Sequence, residues 1–167
     1  MNKFIPGGIK NLKELAERIL KAIAEKERVV LYIDADLDGT VAAILVKEAM
    51  ENLGGQVSRL FFSDRRHEEP GLNQIALDSL KDQSPGLLLV LDCGISNFEE
   101  IKIAKKMGFD VVLLEHHEVL GHLPEASIIV DPKQEKKDSK NEFFYDLAAA
   151  GLAFKLVEIL LGKKLTG

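Results

Sequence analysis

Val29-Val30-Leu31-Tyr32-Ile33-Asp34-Ala35-Asp36-Leu37-Asp38-Gly39-Thr40 changes from unbroken apolar to acidic at alternate positions. The first five residues are rich in β-branched side chains and carry no polar alternation, which predicts a strand buried on both faces. The acids then form a loop. From Thr40 to Leu53 the pattern is helical, and Gly54-Gly55 ends it. A buried strand, a polar loop and a helix in that order begin a βαβ unit, so the chain is expected to build a parallel sheet.

The flanking sequence repeats the theme. Before the strand, Ile9, Leu12, Leu15, Ala16, Ile19, Leu20 and Ile23 recur at helical spacing across Ile9 to Glu27. After it, Val57 to Phe62 reads as a strand, Ser63 to Gly71 as a polar loop and Leu72 to Leu80 as a helix. Gly86 opens a third strand over Leu87 to Leu91. Asn97 and Glu100 have the spacing of a capping box for a helix that runs to Met107 and stops at Gly108. Phe109 to Leu114 and Ile128 to Val130 are the fourth and fifth strands. Pro132 to Asn141 is a Lys-rich loop, and Leu147 to Leu161 a last helix. The expected fold is α/β, a five-stranded mostly parallel sheet with helices on both faces. One domain fills residues 1–167, with an N-terminal helix in 1–27 ahead of a core in 28–160.

Composition narrows the function. The chain has 167 residues, 46% hydrophobic and 29% charged, with a net charge of -5. These values exclude a disordered chain, a collagen-like repeat and a coiled-coil rod. A compact nucleic-acid-binding domain is usually basic, so a grip on DNA or RNA would need local patches, a metal site or another domain. Cys93 is the only cysteine, which excludes an internal disulfide and suits a reducing compartment. The N-terminus lacks the apolar stretch of a signal peptide, and the longest uncharged apolar run, Gly86 to Leu91, is far too short to cross a membrane. A soluble, cytoplasmic protein is expected.

In open parallel sheets, sites form beyond the carboxyl ends of the strands. Three loops leave that edge with metal-type ligands: Asp34, Asp36 and Asp38; Asp92; and Glu115, His116 and His117. If the strands are neighbours the ligands converge. Crowded carboxylates repel one another unless a cation neutralises them. Mixed carboxylate and imidazole ligands suit manganese, zinc or iron better than calcium. Two metals bridged by one carboxylate can activate water for phosphoester hydrolysis, and Asp92, the lone acid of the middle loop, is the candidate bridge. An EF-hand fits poorly, because the twelfth loop position counted from Asp34 is Leu45 and a strand precedes the run. Arg65, Arg66 and His67 fit either a phosphate-binding loop or a solvated one. Cys93 fits a packed residue better than a nucleophile. Lys133, Lys136, Lys137 and Lys140 fit a solvated face or contacts to a nucleic-acid backbone.

Taken together, these motifs resemble the DHH phosphoesterases, most closely the RecJ-like nucleases specific for single strands. Asp34-Ala35-Asp36-Leu37-Asp38-Gly39-Thr40 is similar to the first motif of that family, and Arg66-His67-Glu68-Glu69-Pro70-Gly71-Leu72 to the second. Asp92-Cys93-Gly94-Ile95-Ser96 is similar to the third. Glu115-His116-His117 stands where the family has Asp-His-His. Asp131-Pro132 and Ala149 to Leu156 resemble its segment from Asn-Pro to an Ala-Gly-rich helix. The resemblance implies that Asp36, Asp38, Asp92 and His116 bind two divalent ions, usually Mn2+ with Mg2+ possible, and that Asp34 and His117 are ligands or close supporting groups. Asp92, His116 and His117 would serve catalysis, and Arg66 with His67 the substrate. It implies hydrolysis of single-stranded DNA or RNA from the 5′ end, and partners in replication or repair. Two departures stand out: Glu115 replaces the signature Asp, and the chain stops before the family's last acidic motif and second domain. The expectation is therefore a fragment or a reduced homologue. A non-catalytic nucleic-acid-binding scaffold and a phosphatase for small nucleotides are the rival readings.

Overall fold

The computed structural model describes residues 8–63, 71–137 and 142–162. Helix α1 spans Leu12–Glu25, strand β1 Val29–Ile33, α2 Leu37–Asn52 and β2 Arg59–Phe62. Then come α3 at Gln74–Ser79, β3 at Gly86–Leu91, α4 at Phe98–Lys106, β4 at Phe109–Leu114, β5 at Ile128–Val130 and α5 at Ala149–Leu160. The strands form one sheet in the order β2-β1-β3-β4-β5, and all four pairings are parallel.

The uninterrupted apolar runs are explained by cover on both faces. Leu31, Ile33, Leu89, Leu91, Val112 and Leu114 point into one core with α1, α2 and α5. Val30, Tyr32, Leu88, Val90, Val111 and Leu113 point into a second core with α3 and α4. β1 and β3 are buried almost throughout, whereas β2 lies at the edge and is mostly exposed.

The strand order positions the site. The chain moves from β1 outward to β2, then crosses back so that β3 lies on the other side of β1. The connections therefore leave β1 and β3 in opposite directions. At such a switch point a crevice opens beyond the carboxyl ends of the two strands. Asp34 and Asp92 are the first residues past those ends.

Three local expectations change. Helix α2 starts at Leu37 rather than Thr40, because Asp36 is its N-cap and accepts a hydrogen bond from the Gly39 N–H at 3.0 Å. Asp38 consequently lies in the first helical turn and not in a loop. Asn97 precedes α4 but makes no side-chain cap bond. Its amide instead accepts from the Leu72 N–H and donates to the Leu72 carbonyl, both at 3.0 Å. That clamp ties the loop before α3 to the loop after β3, and it explains Gly71: at φ 94° a Cβ there would run into Asn97 Oδ1. Finally, the segment after β5 begins as an ordered 3-10 turn, Pro132–Gln134, capped by Asp131.

Candidate metal centre

Each acid reaches the crevice by a different local device. Asp34 is held at the end of β1 by its N–H, which donates to the Leu91 carbonyl, and Ser63 Oγ at the end of β2 donates to Asp34 Oδ1 at 3.4 Å. Asp36 is oriented by its capping bond. The turn between Asp34 and Asp36 closes tightly over Gly39, where a Cβ would lie 2.5 Å from the Asp34 carbonyl oxygen. Asp92 adopts a left-handed backbone, φ 63°, that turns the chain sharply out of β3. Asp tolerates that conformation better than most residues.

Glu115, at the end of β4, is buried and fully committed. Oε1 accepts from the Ile95 N–H at 3.1 Å, and Oε2 accepts from the N–H groups of His116 and His117 and lies 2.8 Å from His117 Nδ1. The longer side chain at this position thus acts as an internal clamp that fixes the loops after β3 and β4. Burial pushes its carboxyl up, but the bond and charge of His117 and the backbone donors outweigh this and hold it below its ordinary value.

The three loops do converge. One ligand atom from each of Asp34, Asp36 and Asp92 lies within 4.8 Å of the others, and the same holds for Asp92, His116 and His117. Asp92 belongs to both groups. His116 Nε2 is 3.2 Å from Asp92 Oδ1 and 3.5 Å from Asp38 Oδ2. Asp38 lies outside both groups. Its two oxygens accept the Ala149 and Ala150 N–H groups, each at 2.8 Å, and so cap α5, whose own N-cap residue Ala148 has no side-chain acceptor. The positive ends of α2 and α5 therefore both face the acids.

These residues suit a divalent cation. Asp92 is 1% exposed, and its Oδ1, although near His116, has no hydrogen-bond partner. Burial, followed by the charges of Asp38 and Asp36, pushes its carboxyl up to about 7. An orphaned, buried carboxylate oxygen among two other carboxylates and two imidazoles is a donor set that fits a divalent cation. His116 is lowered by burial and by the charge of His117, which favours the neutral imidazole that a metal needs. His117 is raised to about 9 by its bond to Glu115. Asp131, at the end of β5, is the second fully buried acid with an orphaned oxygen, Oδ2, and burial raises it to about 7.

A stability prediction follows from these signs. The folded pKa of His117 lies above its unfolded value, so its contribution is complete below about 6.5 and disappears as pH rises through about 9. Asp92, an acid raised to about 7, loses stability between about 4 and 7 and stays at that lower level above. Chelator-treated protein should therefore melt at progressively lower temperature from pH 6.5 to 9. Added Mn2+ should flatten that decline when melting is followed by circular dichroism.

Arg65, Arg66 and His67 lie outside the described residues. Cys93 is a buried packed residue in the α3–α4 core. Among the described residues no helix is long and apolar enough to cross a membrane. Sequence reasoning gave Ser63, Asn97 and Asp131 no role in the site. Ser63 signals only the end of an apolar run, Asn97 a local helix cap and Asp131 its place in Asp131-Pro132. A cleft of about 720 Å³ runs along this edge, lined among others by Asp34, Asp92, Glu115, His117 and Glu118.

Comparison with known proteins identifies the family and the fold. The model of the DHH family, N-terminal domain, matches residues 28–166. The chain belongs to the DHH family. The single-stranded-DNA-specific exonuclease RecJ of Bacillus subtilis is 37% identical over 158 residues, 95% of this chain and 20% of that protein. A crystal structure of exonuclease RecJ bound to manganese superposes with a TM-score of 0.76 at 26% identity, over 93% of this chain and 39% of that one. RecJ from Thermus thermophilus in complex with Mn2+ gives 0.72 at 25% identity, over 93% of this chain and 22% of that one. The DHH chain thus spans about a fifth of the length of its Bacillus relative.

Proposed function

We propose that this DHH domain carries the metal centre of a phosphodiesterase acting on single-stranded nucleic acid, in the manner of the RecJ exonucleases it resembles. The observation that carries the reading is Asp92: one buried carboxylate with an orphaned oxygen, common to two potential ligand groups. Asp34, Asp36 and Asp92 would hold one divalent ion, and Asp92, His116 and His117 another. When bound, divalent ions would supply Lewis acidity toward a phosphoryl oxygen and would lower the pKa of water, the chemistry that phosphodiester hydrolysis needs.

The chain's own residues do the rest. Glu115 fixes the orientation of His117 and the path of the loop carrying His116. Ser63 and the Asp36 cap hold the first acidic loop against β1. Asp38 caps α5 and at the same time places a carboxylate oxygen 3.5 Å from His116 Nε2. Manganese is favoured by the mixed carboxylate and imidazole donors and by the two manganese-bound RecJ structures. Degradation of DNA rather than RNA is an extension from the single-stranded-DNA-specific exonuclease of Bacillus subtilis, whereas 5′ to 3′ polarity and links to repair are what the family resemblance implies.

The test offers three substrates with Mn2+: a 5′-labelled single-stranded oligonucleotide, a dinucleotide and a bis-phosphorylated nucleoside. Cleavage of the oligonucleotide, abolished by EDTA, is the expected result. Cleavage of the small substrates alone would mean a nucleotide phosphatase. Binding of the strand without turnover would mean a non-catalytic binding module.

A further inference from the structure

An acidic centre meets a difficulty with an anionic strand: metals neutralise the ligands, but something must also receive the phosphate beside the one being cut. The turn after β5 supplies a cation in the right place. Asp131 Oδ1 accepts the Lys133 N–H at 2.8 Å, Pro132 is buried, and Gln134 Nε2 donates to the Ile129 and Asp131 carbonyls at 2.7 and 3.1 Å. The backbone of Lys133 is therefore fastened on both sides, next to the carboxyl end of β5. Its side chain is only 18% exposed. Its charge reaches both His116, whose proton affinity it lowers, and Asp131.

Its partner is informative. Lys133 Nζ lies 3.2 Å from Oε1 of Glu118, whose side chain is 69% exposed and which lines the cleft holding Asp92 and His117. An ion pair with so exposed a carboxylate contributes little to stability. A phosphate oxygen in the cleft can replace that carboxylate with no loss of charge pairing to the lysine.

Resting on the phosphodiesterase reading above, we propose that Lys133 is a substrate-binding residue that takes a phosphate of the single strand beside the metal centre, with Glu118 holding the position until the strand displaces it. The two residues then have opposite effects. Lys133→Gln removes the receptor; Glu118→Gln releases it.

Binding of a fluorescein-labelled single-stranded oligonucleotide with Mn2+, read by anisotropy over a salt series, tests this in the intact chain. Lys133→Gln should weaken binding roughly tenfold, the loss of one charge-assisted contact, and reduce the slope of log K against log salt by about 0.7. In turnover it should raise KM with kcat within about twofold, as loss of uniform binding does. Lys133→Arg should restore most of the affinity, and Glu118→Gln should tighten binding by roughly two- to fivefold. Unchanged melting temperatures keep a folding defect out of the comparison. Wild-type affinity and slope in Lys133→Gln, or a loss in Lys133→Arg as large as in Lys133→Gln, would overturn the proposal. Metal binding is measured in the same samples. A wild-type chain that takes up Mn2+ but no oligonucleotide overturns this assignment alone, and one that takes up neither overturns the phosphodiesterase reading and this with it.

Discussion

Asp92→Asn is expected to make the metal-free protein more stable and to erase its response to manganese. Both effects have one origin. Asp92 is buried at 1% exposure, its Oδ1 has no hydrogen-bond partner, and burial with the charges of Asp38 and Asp36 pushes its carboxyl up to about 7. An uncompensated buried acceptor costs about 1–3 kcal/mol, more when charged, so a neutral amide relieves part of it. Asn also tolerates the φ of 63° that the turn after β3 requires. In the wild type, Mn2+ at a hundredfold excess over its dissociation constant should add about 2.7 kcal/mol per site. For a domain of this size that raises the melting temperature by about 5–10 °C. The variant should melt a few degrees above metal-free wild type and stay there as Mn2+ is added. Phosphodiesterase turnover should be lost with the response. A purely structural role for Asp92 would give the opposite first result, a destabilised variant.

The second large effect is expected at Asp38. Its carboxylate takes the Ala149 and Ala150 N–H groups from the start of α5. Helix α5 supplies Leu152, Ala153, Leu156, Val157 and Leu160 to the core that it shares with α1 and α2. Asp38→Ala leaves two helix donors without their charged acceptor. Hydrogen bonds to charged groups contribute about 1.5–3 kcal/mol each when sheltered; at this half-buried site a total loss of roughly 2–3 kcal/mol follows, or about 5–10 °C in melting temperature. Thermal unfolding by circular dichroism in the presence of EDTA checks it. A loss of under about 1 °C would mean that solvent replaces the cap. The same substitution removes the acid 3.5 Å from His116 Nε2, so stability and the centre should fail together here, unlike at Asp92.

The contrast between these two acids shows what could be read from residues alone. The strands were legible because a parallel sheet covered on both faces demands long apolar runs: Val29–Ile33 and Gly86–Leu91 are unbroken, and Phe109–Leu114 is interrupted only by Asp110. The convergence of Asp34, Asp36, Asp92, His116 and His117 was legible for a related reason: each closely follows a strand, and parallel strands bring all such loops to one edge. The division of labour within the cluster was not legible. Asp38 and Asp36 look alike in sequence, yet one caps a helix more than a hundred residues away and the other caps its own. Glu115 reads as a signature position altered by one methylene, yet it is buried as a clamp between two loops. Asn97 has the spacing of a local cap but binds Leu72, because the side-chain amide matches both backbone groups of a neighbouring loop. Bonds between side chain and distant backbone leave no periodic trace.

In the proposed centre the acids and imidazoles share divalent ions through Asp92. Mn2+ titration of the intact chain, followed by electron paramagnetic resonance alongside Asp92→Asn, tests that directly. Uptake of two equivalents, with the broadened signal of coupled ions in the wild type and its absence in Asp92→Asn, is the predicted result. Free Mn2+ signal at every ratio in the wild type, or the same uptake in both proteins, would contradict it.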